Sequence, residues 1–543
     1  MYKLFKHQSD AVSSMSTLRE KGRGVILADE MGCGKTITMI ETLRVNLFTP
    51  PHDTYSRVLI IVPLSLLQQW EEELKRVIVG VNIQLFHGTG RYLHESSRIV
   101  ITTYDIVSRS YSKDGMKSDL HKVEWDSVVL DEAHYIRNYA KTKKPKLSGG
   151  DNTNKAGKSV ISLIKKFGYA MTGTPWCNRI TDVYSLLDFI SEDRTKSTEF
   201  NGDWIIRRTK KETLNLPVCH EEISFVHSTP EIQAIRKKYL IKGKSAKSDY
   251  NHGDLVERAK ATMKIITCAL RIRQSSNSPF LVPDLVREIY HGSNSIVERS
   301  PKIKRARELV LSQLKKGMKT VIFSKFVEFL KLIEVGLEPL CDTQMFIGSM
   351  NRTTRDEAID RFNNDPTCSV LLISIDCGGV GLNLTCASLA IIMEPWYNPF
   401  VEIQAQNRID RIGQTVETRI VRIVDNSDKS ADTWIRGIQQ YKTKQASFTI
   451  KGLDVMNTSY NRGGDFTMKD FLSLFTKVDE YKTDPIEIGF YDKIDKNINL
   501  LTQEEGKFRE EYPRINSEWS NDTDDIDWDN IPVIKLREMG YYD

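Results

Sequence analysis

The chain has 543 residues with a formal net charge of +5 and 40% hydrophobic residues, a length that one hydrophobic core does not support and that predicts two to four domains. The longest apolar run, "VLIIVPLSLL" at 58–67, is broken by proline and serine and falls short of the ~18 residues of a membrane span. "MYKLFKHQSD" has no signal-peptide core, and the eight cysteines form no C-x-x-C pair, so neither a zinc module nor a disulfide framework is signalled.

These features predict an intracellular protein with reduced thiols and no membrane association. The charge is uneven. Between Glu504 and Asp529, ten acidic residues face only Lys507, Arg509 and Arg514, a local balance of −7 that leaves +12 on the remainder. A basic body suits a polyanionic partner, and the acidic stretch reads as a solvated tail.

In chain order, "RGVILA" (23–28) has the composition of a strand and "TITMIETLRVNL" (36–47) the apolar spacing of a helix. Between them lies "ADEMGCGKT" (28–36), which departs from the phosphate-loop pattern G-x-x-x-x-G-K-[ST] by placing Asp29 at the first glycine. A loop between a strand and a helix N-terminus offers backbone N–H groups and positive potential to phosphates. Gly32 and Gly34 let the backbone close in, Lys35 supplies a cation near the β/γ-phosphates, and the Thr36 hydroxyl reaches Mg²⁺. Taken alone, the same stretch is also an ordinary tight turn before a helix.

About 95 residues downstream, "DSVVLDEAH" (126–134) is an apolar strand ending in two carboxylates and a histidine. Asp131 at such a strand end is placed to hold Mg²⁺, and Glu132 to deprotonate an attacking water. By itself an Asp-Glu pair after a strand is a solvated loop start. Following a strand-GKT-helix unit, it reads as the second half of a nucleotide site.

With "ADEMGCGKT" and "LDEAH" in order, the chain resembles helicase superfamily two, whose loop reads D-E-x-G-x-G-K-T and does without the first glycine. More closely it resembles the Swi/Snf (Snf-two) DNA-dependent ATPases over about residues 2–475. "LFKHQSDAV" (4–12) matches the adenine-reading element, with Gln8 as its glutamine. "VLIIVPLSLLQQWEEEL" (58–74) and "IVITTYDIV" (99–107) match segments lining the DNA path, "AMTGTPWCN" (170–178) the coupling segment, and "WIIRRTKKE" (204–212) the basic exit from the first lobe. "KTVIFSKF" (319–326) and "FIGSMNRTTRDEAIDRFNND" (346–365) match the opening of the second lobe. "VLLISIDCGGVGLNLTCAS" (370–388) and "EPWYNPFVEIQAQNRIDRIGQ" (394–414) match its two nucleotide-facing motifs.

The resemblance implies a set of roles. Lys35, Asp131, Glu132, Arg408 and Arg411 would be catalytic, the two arginines serving as fingers at i,i+3 spacing. ATP would be bound by Gln8, Ala28, Asp29, Glu30, Met31, Gly32, Cys33, Gly34, Lys35, Thr36, Gly379 and Gly381, with Mg²⁺ on Thr36 and Asp131. His134, Thr172 and Gln414 would couple nucleotide state to movement. Pro63, Ser65, Thr102, Arg207, Arg208 and Lys325 would lie on the DNA path.

The motifs look most like the branch of the lodestar termination ATPase and the fork remodellers, in a compact form similar to the viral global transactivators. The RING of the ubiquitin-ligase members is absent, since no paired cysteines could bind its zinc. Asp410 stands where the family has histidine, a departure that leaves both arginines in place, and Cys33 and Cys377 read as packing residues.

Alternating strand and helix patterns predict an α/β fold of two tandem RecA-like lobes with mainly parallel sheets. The first lobe is placed at 1–222, a helical insertion at 223–300 around "LVERAKATMKIITCALRIRQ", the second lobe at 301–475 and an acidic tail at 476–543. The basic loop "KTKKPKLSGGDNTNKAGK" (141–158) is a solvated loop or a phosphate-binding or nuclear-targeting run.

The function so implied is an ATPase translocating on double-stranded DNA and displacing or remodelling bound proteins such as histones or polymerase, in a nucleus or viral factory. An RNA helicase and an idle, ATP-gated scaffold are the alternatives. "RIDRIGQ" does not resemble the RNA enzymes, and the complete set of catalytic side chains argues against the scaffold.

Overall fold

The computed structural model describes residues 3–48, 56–109, 111–112, 115–116, 119–136, 155–173, 181–191, 204–282, 292–375, 377, 382–439 and 468–475. The tail at 476–543 and most of the basic loop at 141–158 therefore lie outside the described residues.

The described chain builds two parallel sheets. The first is formed by β1 (Val25–Leu27), β2 (Val58–Val62), β3 (Ile83–Leu85), β4 (Ile99–Thr103), β7 (Trp125–Leu130), β8 (Lys165–Met171) and β9 (Ile205–Ile206), while β5 (Tyr111–Ser112) and β6 (Gly115–Met116) form a separate antiparallel pair. Its order is β3-β4-β2-β7-β8-β1-β9, and every pairing is parallel. The second sheet contains β10 (Cys219–Val226), β11 (Lys319–Ser324), β12 (Asp342–Phe346), β13 (Cys368–Ser374), β14 (Ala387–Ile392) and β15 (Thr418–Asp425). It runs β10-β15-β14-β11-β13-β12, again all parallel.

The apolar runs explain the choice. β2 and β14 are buried at every position, as strands covered by helices on both faces must be. The helices that cover the first sheet supply Met39, Leu43, Trp70 and Leu74 to one core, while Leu186 and Phe189 pack on its other face. The expected end of the first lobe at 222 is corrected. β10 runs to Val226 and pairs with β15 over its whole length, because its alternating pattern suits a half-exposed edge strand of the second sheet.

Between the lobes, helices Pro230–His252 and Leu255–Asn277 form an antiparallel pair. Thr229 caps the first, with Pro230 in its opening turn, and Asp254 caps the second in a reciprocal box with Glu257. Arg236 of the first helix is buried against Asp425 at the end of β15, which ties the helical pair to the second sheet.

Candidate nucleotide site between the lobes

β8 lies between β1 and β7 in the first sheet. Three strand ends therefore deliver their loops to one edge: the phosphate loop after β1, Asp131–Glu132 after β7 and Thr172–Gly173 after β8. This is the carboxyl edge of a parallel sheet, where α/β folds place ligands.

In the loop, Gly32 (φ +92°) and Gly34 (φ +81°) occupy the left-handed region that favours glycine. A Cβ on Gly34 would meet the Gln8 amide at 2.4 Å, and one on Gly32 would approach Lys210 at 3.0 Å and Arg411 at 3.3 Å. Asp29, in place of the first glycine, is 1% exposed. Its carboxylate is gripped by the Arg208 guanidinium, which also donates to the His7 carbonyl. The departure from the strict pattern is thus a structural one, in which a buried aspartate anchors the loop to the "RRTKK" segment. Arg207 adds a bond to the Ala28 carbonyl at 3.1 Å. Gln8 and His7 both reach the Cys33 carbonyl, at 3.4 and 2.9 Å. Cys33 is buried 3.7 Å from the Thr213 hydroxyl, and burial raises its thiol above the ordinary value.

Lys35 opens helix Lys35–Phe48 with Thr36 next in its first turn. Its ammonium donates to the carbonyls of Asp29 (2.9 Å) and Glu30 (3.3 Å). Burial pulls its pKa below the usual value, against the pull of Glu132 and Asp131. Met31 packs where a side chain on Gly173 would stand.

Asp131 is 7% exposed. Its Oδ2 accepts the Trp70 indole N–H at 2.7 Å, and its Oδ1 accepts the Glu132 backbone N–H at 3.0 Å. The Tyr104 hydroxyl holds its carbonyl at 2.7 Å. Burial first, then the neighbouring Glu132, raise its pKa to about 6. Glu132 is one of two non-glycine residues among those described with positive φ, at +50°, backbone strain of a kind that clusters at functional sites. Burial opposes its ionisation, but His134, Lys35 and Arg408 together hold its pKa below the usual value. Glu132 Oε2 lies 3.3 Å from His134 Nδ1, without the alignment of a hydrogen bond, and both atoms are buried with no such partner among the described residues.

The second lobe closes the site. Arg408 is near enough to Glu132 for each to influence the other's ionisation. Burial and then Arg411 lower the Arg408 pKa to about 10. Arg411 donates to the Leu382 carbonyl at 3.0 Å, while its Nε is buried and among the described residues has no hydrogen-bond partner. Its backbone sits against Gly32 and Ile412 against Gly34. Gln414 closes the following turn by donating to the carbonyls of Ala387 and Ile409 and accepting from the N–H groups of Thr415 and Val416.

One cleft therefore gathers Gln8, the loop 28–36, Asp131, Glu132, His134, Thr172, Arg408 and Arg411. Gly379 and Gly381 lie outside the described residues. The DNA-path expectations fare differently. Ser65 is exposed and Pro63 half-buried in the turn after β2, and Lys325 follows β11 with its ammonium 4.5 Å from the Trp396 ring. Thr102 is a correction: it is 0% exposed and donates to the Phe86 carbonyl, because it lies inside β4 and not beyond its end. Arg208 is the other correction, since Asp29 and His7 engage its guanidinium. Trp70, bonded to Asp131, and Lys210, bonded to Asn407 and Asp410, stand at the cleft as positions that the motif reading did not single out.

Two family models match, the SNF2-related domain over residues 7–205 and the helicase conserved C-terminal domain over residues 301–413. The chain belongs to the SNF2-related branch of helicase superfamily two and is an ATPase of that family. It is 29% identical over 503 residues to the "Probable global transactivator" of Orgyia pseudotsugata multicapsid polyhedrosis virus, covering 87% of this chain and 94% of that protein. It is 27% identical over 458 residues to human "Chromodomain-helicase-DNA-binding protein 1", covering 76% of this chain and 25% of that protein. Several other relatives are also far longer, and the chain spans only 25% to 45% of their length. The solved Sulfolobus solfataricus SWI2/SNF2 ATPase core in complex with dsDNA is 25% identical, covering 88% of this chain and 96% of that one, at a TM-score of 0.36.

Among the described residues, no helix is long and apolar enough to cross a membrane. Nor does any cluster of three or more His, Cys, Asp or Glu side chains among them suit a metal on its own. A divalent ion held here would complete its shell with nucleotide or water oxygens. The cleft fits one held in that way. A buried Asp131 and a half-buried Glu132 both act on the Lys35 ammonium, and among the described residues Glu132 Oε2 has no hydrogen-bond partner.

Proposed function

We propose that the chain is an ATP-driven translocase on double-stranded DNA that displaces or remodels bound protein without extensive strand separation. The observation that carries this reading is the meeting of Lys35, Asp131, Glu132, Arg408 and Arg411 from both lobes in one cleft. A site completed by two lobes links each hydrolysis cycle to their opening and closing.

In this reading the loop N–H groups and Lys35 cradle the phosphates, and Thr36 and Asp131 hold Mg²⁺. The ion supplies charge neutralisation at the phosphate oxygens when bound. Glu132, held ionised by its cationic neighbours, takes the proton of the attacking water. Arg411 and Arg408 bring positive charge to the γ-phosphoryl group as charge develops there. His134, Thr172 and Gln414 couple closure to nucleotide state.

Family membership and the printed names of the relatives support DNA as the track, chromatin or transcription complexes as targets, and a nucleus or viral factory as the compartment. The grip on phosphates is electrostatic, so it carries little sequence preference and weakens as salt rises. Moving along an intact duplex needs only cyclic changes of that grip, whereas unwinding must also overcome about 1.4 kcal/mol of stacking per base-pair step.

A triplex assay tests the reading. The account expects ATP-dependent release of the third strand, with little separation of a blunt duplex under the same conditions. Efficient unwinding of long duplexes without third-strand release would overturn it.

A further inference from the structure

Lys210 has no place in the chemistry above, yet it is only 8% exposed. It begins the short helix Lys210–Thr213, which Thr209 and Glu212 cap reciprocally. Its backbone N–H donates to Glu30 Oε2 at 2.8 Å, and its Cε lies 3.0 Å from where a Cβ on Gly32 would stand. The stem therefore rests on the phosphate loop.

The head of the side chain belongs to the other lobe. Its ammonium is 2.6 Å from Asp410 Oδ2, and it also donates to the Asp410 carbonyl and to Asn407 Oδ1. An ammonium has three hydrogens, and all three find second-lobe acceptors. Asn407 immediately precedes Arg408, and Asp410 immediately precedes Arg411.

We propose that Lys210, Asn407 and Asp410 form an interlobe latch, with Lys210 as the positioning residue that seats Arg408 and Arg411 over the phosphate loop. Lys210 leans on the first-lobe loop and its partners lie between β14 and β15 of the second sheet, so their bonds exist only while the cleft is closed. Desolvation cancels much of the attraction of a buried ion pair. Such a pair fixes register without holding the lobes shut, which suits a cleft that must reopen in every cycle. Asp410 also places a carboxylate beside a group of cations that would otherwise repel one another.

The latch rests on the ATPase reading, and the test separates the two. Full-length Lys210→Met, Asp410→Asn, the double variant, Lys210→Arg and Arg411→Ala are compared for kcat, KM for ATP and affinity for a non-hydrolysable ATP analogue. Circular dichroism melts report folding.

Each of Lys210→Met and Asp410→Asn should lower kcat by about 10- to 100-fold, the cost of an ångström-scale misplacement. Analogue affinity should stay within about threefold, as a purely structural lesion would not guarantee. The double variant should be no worse than the weaker single variant, because both remove one interaction. Lys210→Arg should keep more activity than Lys210→Met.

Single variants that retain kcat within about twofold, or losses that simply multiply in the double variant, overturn the latch. If Lys210→Met does not fold, the near-isosteric Asp410→Asn decides by the same kcat and affinity criteria. Loss of activity in Arg411→Ala alone defeats only the latch. Full activity in Arg411→Ala defeats the finger assignment and the latch with it.

Discussion

The two faces of the cleft are held in different ways. On the first-lobe face, Lys35 is bonded to two loop carbonyls, Asp131 to Trp70 and the Glu132 N–H, and Asp29 to Arg208. Every one of those bonds is made within the first lobe. On the second-lobe face, Arg411 donates to the Leu382 carbonyl and its buried Nε has no partner among the described residues, and the Arg408 pKa is lowered by burial and by its neighbour. The first face is organised by bonds within its own lobe. The second is a concentration of positive charge that an anion would relieve. Binding and water activation should therefore be set by the first lobe, and the timing of hydrolysis by the second.

Substitutions on the first face should have the largest effects. Glu132→Gln should lower turnover by about 10²- to 10⁴-fold, the range of general acid–base catalysis, while leaving ATP bound. Single-turnover hydrolysis alongside equilibrium nucleotide binding checks this. Lys35→Ala should remove both properties, and equal behaviour of the two variants would erase the proposed division of labour on that face.

On the second face, Arg411→Ala should lower kcat by about 10³-fold with little loss of affinity for ATP or DNA. A variant that lost DNA affinity and kept kcat would make the residue a phosphate clamp and remove the contrast between the faces.

A smaller effect is expected at Trp70, 1% exposed, whose indole orients Asp131. Trp70→Phe should raise the Mg²⁺ concentration for half-maximal ATPase by about 10-fold or more, the usual cost of losing a hydrogen bond to a metal ligand. A Mg²⁺ titration matched to the melting temperature separates this from general loosening of the core.

The smallest effect is on stability. The Asp131 pKa in the folded chain, about 6, lies above its ordinary value, so the folded state binds the proton more tightly. The penalty for ionising it is absent below about pH 4 and complete above about pH 7. Asp131→Asn should therefore raise the melting temperature of the nucleotide-free protein by a few degrees at pH 8 and hardly at all at pH 4. Melting curves at the two pH values measure the difference.

The parts of this site that are legible in the sequence are the contiguous ones. Phosphate chemistry restricts "GCGKT", "LDEAH" and "RIDRIGQ" to short local patterns, and the apolar runs before the first two mark the strands that present them. The parts that are not legible depend on distant partners. Trp70 reaches Asp131 across 61 residues and Lys210 reaches Asp410 across 200, and neither has a local pattern that announces its partner. The same limit explains Arg208, which reads as a DNA contact by its charge but serves Asp29, 179 residues away. Thr102 shows a different limit, because a polar residue inside a buried parallel strand looks no different in sequence from one at its exposed end. Asp410, the apparent departure in the arginine motif, is accounted for only once Lys210 is seen beside it.

ATP turnover without nucleic acid, and with duplex DNA, single-stranded DNA and RNA in parallel, tests the central claim most directly. The account predicts low turnover alone and the largest stimulation with duplex DNA. At sub-saturating DNA, that stimulation should fall steeply as salt rises from low to physiological levels. Stronger stimulation by RNA than by duplex DNA, or turnover indifferent to every nucleic acid, would contradict it.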